Sequence, residues 1–418
     1  LIITIFYSTD NPLNKSAITV PQRAVSTFDQ QDLSINMHIL KWKVTLEMIK
    51  DKPLFGSGIG TFKINYLDYQ ADFLQKNPGY IKYSGKAAEA HNEYLQMLAE
   101  LGIPGFLVFL SIIFVFYSLA LKYLKNKHNN QNRLIVFGLL MGITCFLIHC
   151  LFTFPFHVPV LGSTFFIFLG LSVVYIGGFG LSKVDTKKNI RIKLNLNYLI
   201  KKIIIILMFI VGIFLIYTLV FKPYFAEIHY FKGIKYYEKG NYNDALKDFK
   251  HAVWLAPYNG RILHALGSTY YHLDIQDEAQ ETLQRTKYYF NDRNIFRNLG
   301  LSYKQSGNYQ EAEKEFKQAI YLDPNFTKAY IDLAYLYATQ EDYDKAIIEW
   351  NKILEIEPNF SEKYNVLYFI GLTYQKKQMP DKALEYFLEA LQLTPEGSPI
   401  IEEIEKEIYN IYKDRLNK

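Results

Sequence analysis

Four apolar runs between residues 103 and 221 decide most of what this chain can become. Residues 103–121, 134–154, 158–181 and 203–221 each approach the roughly 20 residues that cross a hydrocarbon core as a helix. Flanking charge sets their direction. Lys122, Lys125, Lys127 and Arg133 separate the first two runs, and Lys183, Lys187, Lys188, Arg191, Lys193, Lys201 and Lys202 separate the last two. The connection between the second and third, at 155–157, carries no Lys or Arg. An excess of Lys and Arg marks cytoplasmic loops, so residues 8–102 and everything after Phe221 are expected outside. The net charge of +5 therefore matters less than its position. Cys145 and Cys150 fall inside one apolar run, at a spacing that fits neither a zinc site nor a redox pair, and read as packing residues. The chain opens at Leu1 on an apolar stretch without Met or a charged n-region. Residues 1–7 thus read as the end of a truncated span, and the chain as a fragment.

Between residues 8 and 102 the composition is polar and aromatic. Pro12 and Pro21 break any regular structure in the first part of that loop. An amphipathic helix is expected over 34–50, with Ile35, Ile39, Trp42, Leu46 and Ile49 on one stripe and Lys41, Lys43, Lys50 and Lys52 flanking it. It would lie on a lipid surface or pack on protein. Gly56, Gly58 and Gly60 follow; without a preceding strand or a closing Lys-Ser/Thr they predict a tight turn rather than a nucleotide loop. A helix over 63–76 carries Tyr66, Tyr69, Gln70 and Phe73, rings suited either to sugar stacking or to a membrane interface.

Residues 87–105 are expected to form a short helix that feeds the first span. Helical spacing would put His91, Leu95, Leu98 and Gly102 on one face, with Asn92, Glu93 and Glu100 on others. A titratable ring at a bilayer edge beside amide and carboxylate groups suggests a general base; the plainer reading is a histidine capping an amphipathic helix. His149 and His157, near the outer end of the second span and in the turn after it, are candidate cavity-lining groups together with Asn92.

The order Trp42, Met48 to Gly56, Gly58, Gly60 and Phe62, then His91 to Leu95, Glu100 and Gly102 to Gly105, resembles the C-terminal region of the O-antigen ligase / O-antigen polymerase (Wzy) family over residues 34–120. That resemblance implies an integral membrane glycosyltransferase. Such an enzyme passes a glycan from an undecaprenyl-diphosphate carrier to a glycan, lipid or protein acceptor on the extracytoplasmic side of the inner membrane, with no metal and no cofactor. It assigns catalysis to His91, with Glu93 and Glu100 beside it. The family usually has Arg four residues before the Trp; this chain has His38. A guanidinium grips a diphosphate bidentately and an imidazole cannot replace the fork. Either His38 acts protonated, or Arg23, Lys41 and Lys43 supply the charge, or missing upstream loops do, or this copy has lost activity and is a membrane-anchored interaction scaffold without catalysis.

From Ala226 the pattern changes to a period of about 34 residues, the length of a tetratricopeptide repeat. Gly233, Ala245, Phe249 and Pro257 mark the first repeat; Gly267 and Ala279 the second, which lacks the terminal Pro. Gly300, Ala312, Phe316 and Pro324 mark the third, Ala334, Ala346, Trp350 and Pro358 the fourth, and Gly371, Ala383, Phe387 and Pro395 the fifth. Five repeats over 226–397 and a capping helix over 398–418 would form a groove for a protein partner. The basic runs lack the interleaved aromatics of a nucleic-acid platform, so no nucleic-acid partner is expected. The expected class is all-α: polytopic transmembrane helices with a large extracytoplasmic loop (8–102), four spans (103–221), then a tetratricopeptide α-solenoid.

Overall fold

The computed structural model describes residues 33–125, 130–177, 198–358 and 360–416. The expectations placed on residues 1–32, Arg23 among them, on Lys127 and on the basic run 183–193 lie outside these residues, and so do the side chains of Lys201 and Lys202. Every regular element described is helical, and the chain divides after Asn197 into two compact units.

In the first unit, α1 (Leu33–Asp51) and α2 (Phe62–Lys76) form the body of the polar loop. Leu40, Val44 and Met48 recur every four residues along α1 and are buried. Phe62, Tyr66, Leu67, Ala71 and Leu74 do the same on α2. The buried face of α1 is therefore one step round from the expected Trp42 stripe: Ile35, Ile39, Trp42 and Ile49 are half-buried and Leu46 is exposed. A 3-10 turn at Pro78–Tyr83 brings Tyr80 against Phe73.

Helix α3 (Glu93–Lys125) runs from this body into the first apolar run, with a break at Gly102, whose φ of 68° and ψ of −176° are not helical. The break frees backbone groups, and the glycine loop takes them up. In an unbroken helix the Ala99 carbonyl would accept from Ile103 N–H, and the Glu100 carbonyl faces Pro104, which has none. Instead Ser57 N–H donates to Ala99 O (2.8 Å), Gly58 N–H to Glu100 O (2.9 Å) and Ile103 N–H to Pro53 O (2.8 Å). The Glu100 carboxylate accepts from Gly60 N–H and Phe62 N–H, both at 3.0 Å. A Cβ at Gly56 would stand 2.4 Å from Glu100 C and O, and one at Gly102 would stand 2.3 Å from Leu54 O. Two sequence blocks about forty residues apart are thus halves of one backbone joint.

Helices α4 (Asn130–His149) and α5 (Pro159–Gly177) pack with α3 on a core of Phe116, Ala120, Val136, Leu140, Ile143 and Phe165. Their outer faces stay apolar: Phe114, Leu134 and Val160 are at least 70% exposed. Helices apolar on both inner and outer faces suit lipid rather than water. The described residues hold four helices long and apolar enough to cross a membrane: Glu93–Lys125, Gln131–His149, Pro159–Ile176 and Ile206–Glu238. The second ends five residues before the expected 154, because residues 150–154 turn and enter a 3-10 turn at Pro155–His157.

In the second unit, α6 (Tyr198–Ile216) passes through a π turn (Tyr217–Phe221) straight into α7 (Lys222–Glu238), so the fourth apolar run and the first repeat share one helix. Four further helix pairs follow the pair α7 and α8 (Tyr242–Leu255): α9 (Gly260–His272) with α10 (Gln276–Thr286), α11 (Arg293–Gln305) with α12 (Tyr309–Leu322), α13 (Thr327–Thr339) with α14 (Tyr343–Ile356), and α15 (Lys363–Lys376) with α16 (Pro380–Leu393). The small residue of the first helix in each pair admits a side chain from the second. A Cβ at Gly300 would meet the Phe316 ring at 2.6 Å, and in the fourth pair Trp350 is buried against the Tyr335 and Phe369 rings. Helix α17 (Ile400–Leu416) closes the stack, burying Ile404 and Ile411 against the last pair.

Candidate active site

The site is built where the loop body meets the turn between the second and third spans. Asn92 ends the loop as the cap of α3: its side-chain oxygen accepts from Leu95 N–H (3.0 Å) and its amide donates to Leu151 O (3.0 Å). Glu93 N–H donates to Cys150 O (2.9 Å), and the Tyr94 hydroxyl to Leu147 O (2.7 Å). These bonds fix α3 against the end of α4. His91 precedes the helix, with φ of 53°, so it does not share a face with Leu95, Leu98 and Gly102 as expected. Asn92 starts the helix instead, and that left-handed step turns the ring out of the helical register.

There the His91 ring stands 4.6 Å from the ring of His38 and 4.9 Å from that of Phe154, both edge to face. His38, Lys41 and Trp42 share a face of α1 by their i, i+3, i+4 spacing. His38 Nδ1 and Trp42 Nε1 are buried with no hydrogen-bond partner among the described residues. Buried polar atoms of this kind call for an explanation, and a ligand that pairs with them is one. Burial, reinforced by Lys41 and His38, lowers the His91 pKa to about 4. Burial and Lys41 also lower that of His38. Both effects work against a protonated His38. Lys41 is the cation beside the pair; burial lowers its own pKa while Glu89 opposes the shift.

A second network holds the turn. Glu93, 2% exposed, accepts from Phe156 N–H (3.4 Å) and lies 3.3 Å from His157 Nδ1. Gln96 accepts from Ala90 N–H (3.0 Å), which turns its amide NH2 onto His157 Nε2 (3.0 Å). The side-chain bond to Glu93 raises the His157 pKa, while the Gln96 amide favours the Nδ1–H tautomer.

The structure separates other expected members. Lys43 points to Tyr80, with its Nζ 4.6 Å from that ring, and so leaves the Lys41 face. Both Glu100 oxygens are held by the glycine loop, which makes it a fold-supporting carboxylate. His149 is exposed on the last residue of α4. The sequence reading missed Phe154 and Gln96; the Asn92-Glu93 pair was a legible helix-start signal. Among the described residues no three His, Cys, Asp or Glu side chains gather as a metal site.

Comparison with known proteins puts a name to the loop. Residues 1–110 match the O-antigen ligase family. The described part of the matched segment contains α1, the glycine joint, His91 and the kinked start of α3. Residues 303–367 and 364–396 match tetratricopeptide repeat families. A curated relative, the general transcriptional corepressor trfA of Dictyostelium discoideum, is 29% identical over 94 residues, or 22% of this chain and 7% of that protein. Among solved structures, MamA is 28% identical over 40% of this chain and 91% of its own (TM-score 0.36). The tetratricopeptide protein YrrB is 19% identical over 40% of this chain and 86% of its own (TM-score 0.34).

In the repeats, α7, α9 and α11 line a groove of about 540 Å³. Tyr230, Tyr237 and Tyr271 give it aromatic walls. Its arginines are already paired: Arg261 with Glu227 (2.6 Å) and Arg297 with Asp332 (2.5 Å).

Proposed function

We propose that this protein transfers a glycan from an undecaprenyl-diphosphate carrier to a hydroxyl-bearing acceptor at the outer face of the cytoplasmic membrane. The observation that carries the reading is the meeting of His91 with His38 and Lys41 at a helix end, within the O-antigen ligase segment. Neutral His91 takes the proton from the acceptor hydroxyl. That oxygen attacks the anomeric carbon from the face opposite the carrier. The bond from that carbon to the diphosphate oxygen breaks, its electron pair leaves with the diphosphate, and the configuration inverts. Lys41 offset by Glu89, and the Trp42 indole N–H, supply positive charge and a donor where leaving-group charge grows.

Sidedness follows from charge. Tyr94 bonds to Leu147, so α3 and α4 run antiparallel and His91 sits at the end opposite Lys122, Lys125 and Arg133. With those residues cytoplasmic, the site faces outward. The repeats would bring a protein partner to the same enzyme through their groove. The test is the surface glycan of cells lacking the gene, complemented with the wild type or with His91→Ala. Restoration by the wild type alone, at equal membrane abundance, supports the reading; equal restoration by both removes His91 from the chemistry.

A second reading, an interaction scaffold without catalysis, is favoured by His38 standing where an arginine fork is usual. It predicts that the deletion leaves surface glycan unchanged and dissolves a complex that depends on the repeats.

A further inference from the structure

We propose that the first two repeats rest one edge in the lipid headgroup region, through Trp254, Tyr258 and Tyr288. The inference depends on α6 crossing the bilayer and is independent of the transfer chemistry. No charged residue falls between Lys202 and Lys222, and the backbone stays helical through that junction: Phe221 has φ −72° and ψ −44°, Lys222 φ −57° and ψ −52°. Lys222 thus marks the level at which the span reaches the headgroups. Trp254 is at that level, because Lys222 Nζ lies 5.6 Å from its ring.

The same edge continues into the second repeat. The Tyr258 ring is 5.5 Å from that of Tyr289, and Arg285 donates to Pro257 O (2.8 Å) across the gap. Trp254, Tyr258 and Tyr288 are 66%, 69% and 80% exposed, unusual for rings of this size in water. An apolar ring with a polar tip gains most at a lipid–water boundary, and Lys222 and Arg285 beside the rings complement anionic headgroups. The corresponding corners farther from α6 are different. In the third repeat Tyr321 and Asn325, at the positions of Trp254 and Tyr258, are only half-buried, and exposed Glu355, Glu357 and Glu396 occupy the fourth and fifth. Among the ends of the second helices, exposed aromatics stand at the two nearest the span and exposed carboxylates at the fourth and fifth; the exposed Tyr409 and Tyr412 stand on the closing helix α17 instead. A partner protein would not require that gradient, whereas a lipid surface met at one end does.

The test uses the full chain in nanodiscs whose acyl chains are brominated near the headgroup. Trp254→Phe isolates one emitter by difference, since Trp42 and Trp350 are common to both proteins. The second repeat is read by Tyr288→Trp on the Trp254→Phe background. Brominated lipid should quench each difference signal, because an interfacial ring lies at the headgroup level beside the brominated positions. Difference signals unchanged by brominated lipid but quenched by aqueous iodide, at either position, would overturn the proposal. Both replacements are at exposed sites, and far-UV circular dichroism identical to wild type confirms that folding is not the readout.

Discussion

The His91 ring lies edge to face on the His38 ring, 4.6 Å between centroids, although 53 positions separate them in the chain. On the proposed reading, His38 occupies the position at which an arginine would meet the carrier diphosphate. The proposal thus joins the base to the place where it would hold the leaving group.

His38→Ala should lower transfer about tenfold, equivalent to about 1.4 kcal/mol of transition-state stabilisation. His38→Arg should raise it above wild type, since a guanidinium beside His91 both keeps the imidazole neutral and offers a fork. Single-turnover rates with carrier-linked glycan measure this. An inactive His38→Arg with normal membrane abundance would mean that the imidazole itself is required.

His91 is held at about 4, below the ordinary 6.5, by burial, Lys41 and His38. In the proposed mechanism its neutral form is the active one, so wild-type transfer should be flat across neutral pH and fall only as pH drops toward 4. Lys41→Met removes one of the depressing charges and should move that acidic limb upward. The stability sign is the same. A histidine whose folded pKa is lowered stabilises fully above its unfolded pKa of 6.5, and loses that contribution as pH falls from there toward 4. His91→Gln should remove this part of the acid loss, read as the melting temperature across pH 4–7.

The backbone joint predicts unequal glycine effects. At Gly60 a Cβ meets open space, so Gly60→Ala bears only the left-handed backbone cost, about 1–2 kcal/mol. Gly56→Ala and Gly102→Ala add a backbone collision to a positive φ and should cost more than about 3 kcal/mol, with transfer lost. Protease protection of residues 33–92 in membranes separates the three.

In the repeats, Gly307→Ala at φ 77° meets no atom and should destabilise by about 1 kcal/mol. Gly300→Ala drives a methyl into Phe316 and should cost about 1–3 kcal/mol through overpacking. Thermal unfolding of the two variants in the full chain decides the order.

The spans and the repeats were legible because each is a long pattern that local chemistry repeats. Apolar runs persist over whole helices, and the small residue at Gly233, Gly267, Gly300, Ala334 and Gly371 returns with its partner ring or leucine. The site was legible in its residues but not in its assembly. Nothing local says that Ser57 and Gly58 donate to the carbonyls freed at Gly102 and Pro104, because that contact is made in three dimensions. His91 was assigned to the wrong face because periodicity was carried one residue past a cap: Asn92 competes for the helix end with its side-chain oxygen. Lys41 and Lys43 were equivalent by composition; only the packing of Leu40, Val44 and Met48 turns one toward His91 and the other toward Tyr80.

The most direct test is transfer by the purified full chain in proteoliposomes, supplied with labelled undecaprenyl-diphosphate glycan and acceptor. Wild-type protein should release the carrier diphosphate and form an inverted glycosidic bond, and His91→Ala should reduce that rate by about 10²-fold or more, as loss of a general base does. Equal rates from the two proteins, or no transfer by the wild type, would contradict the account.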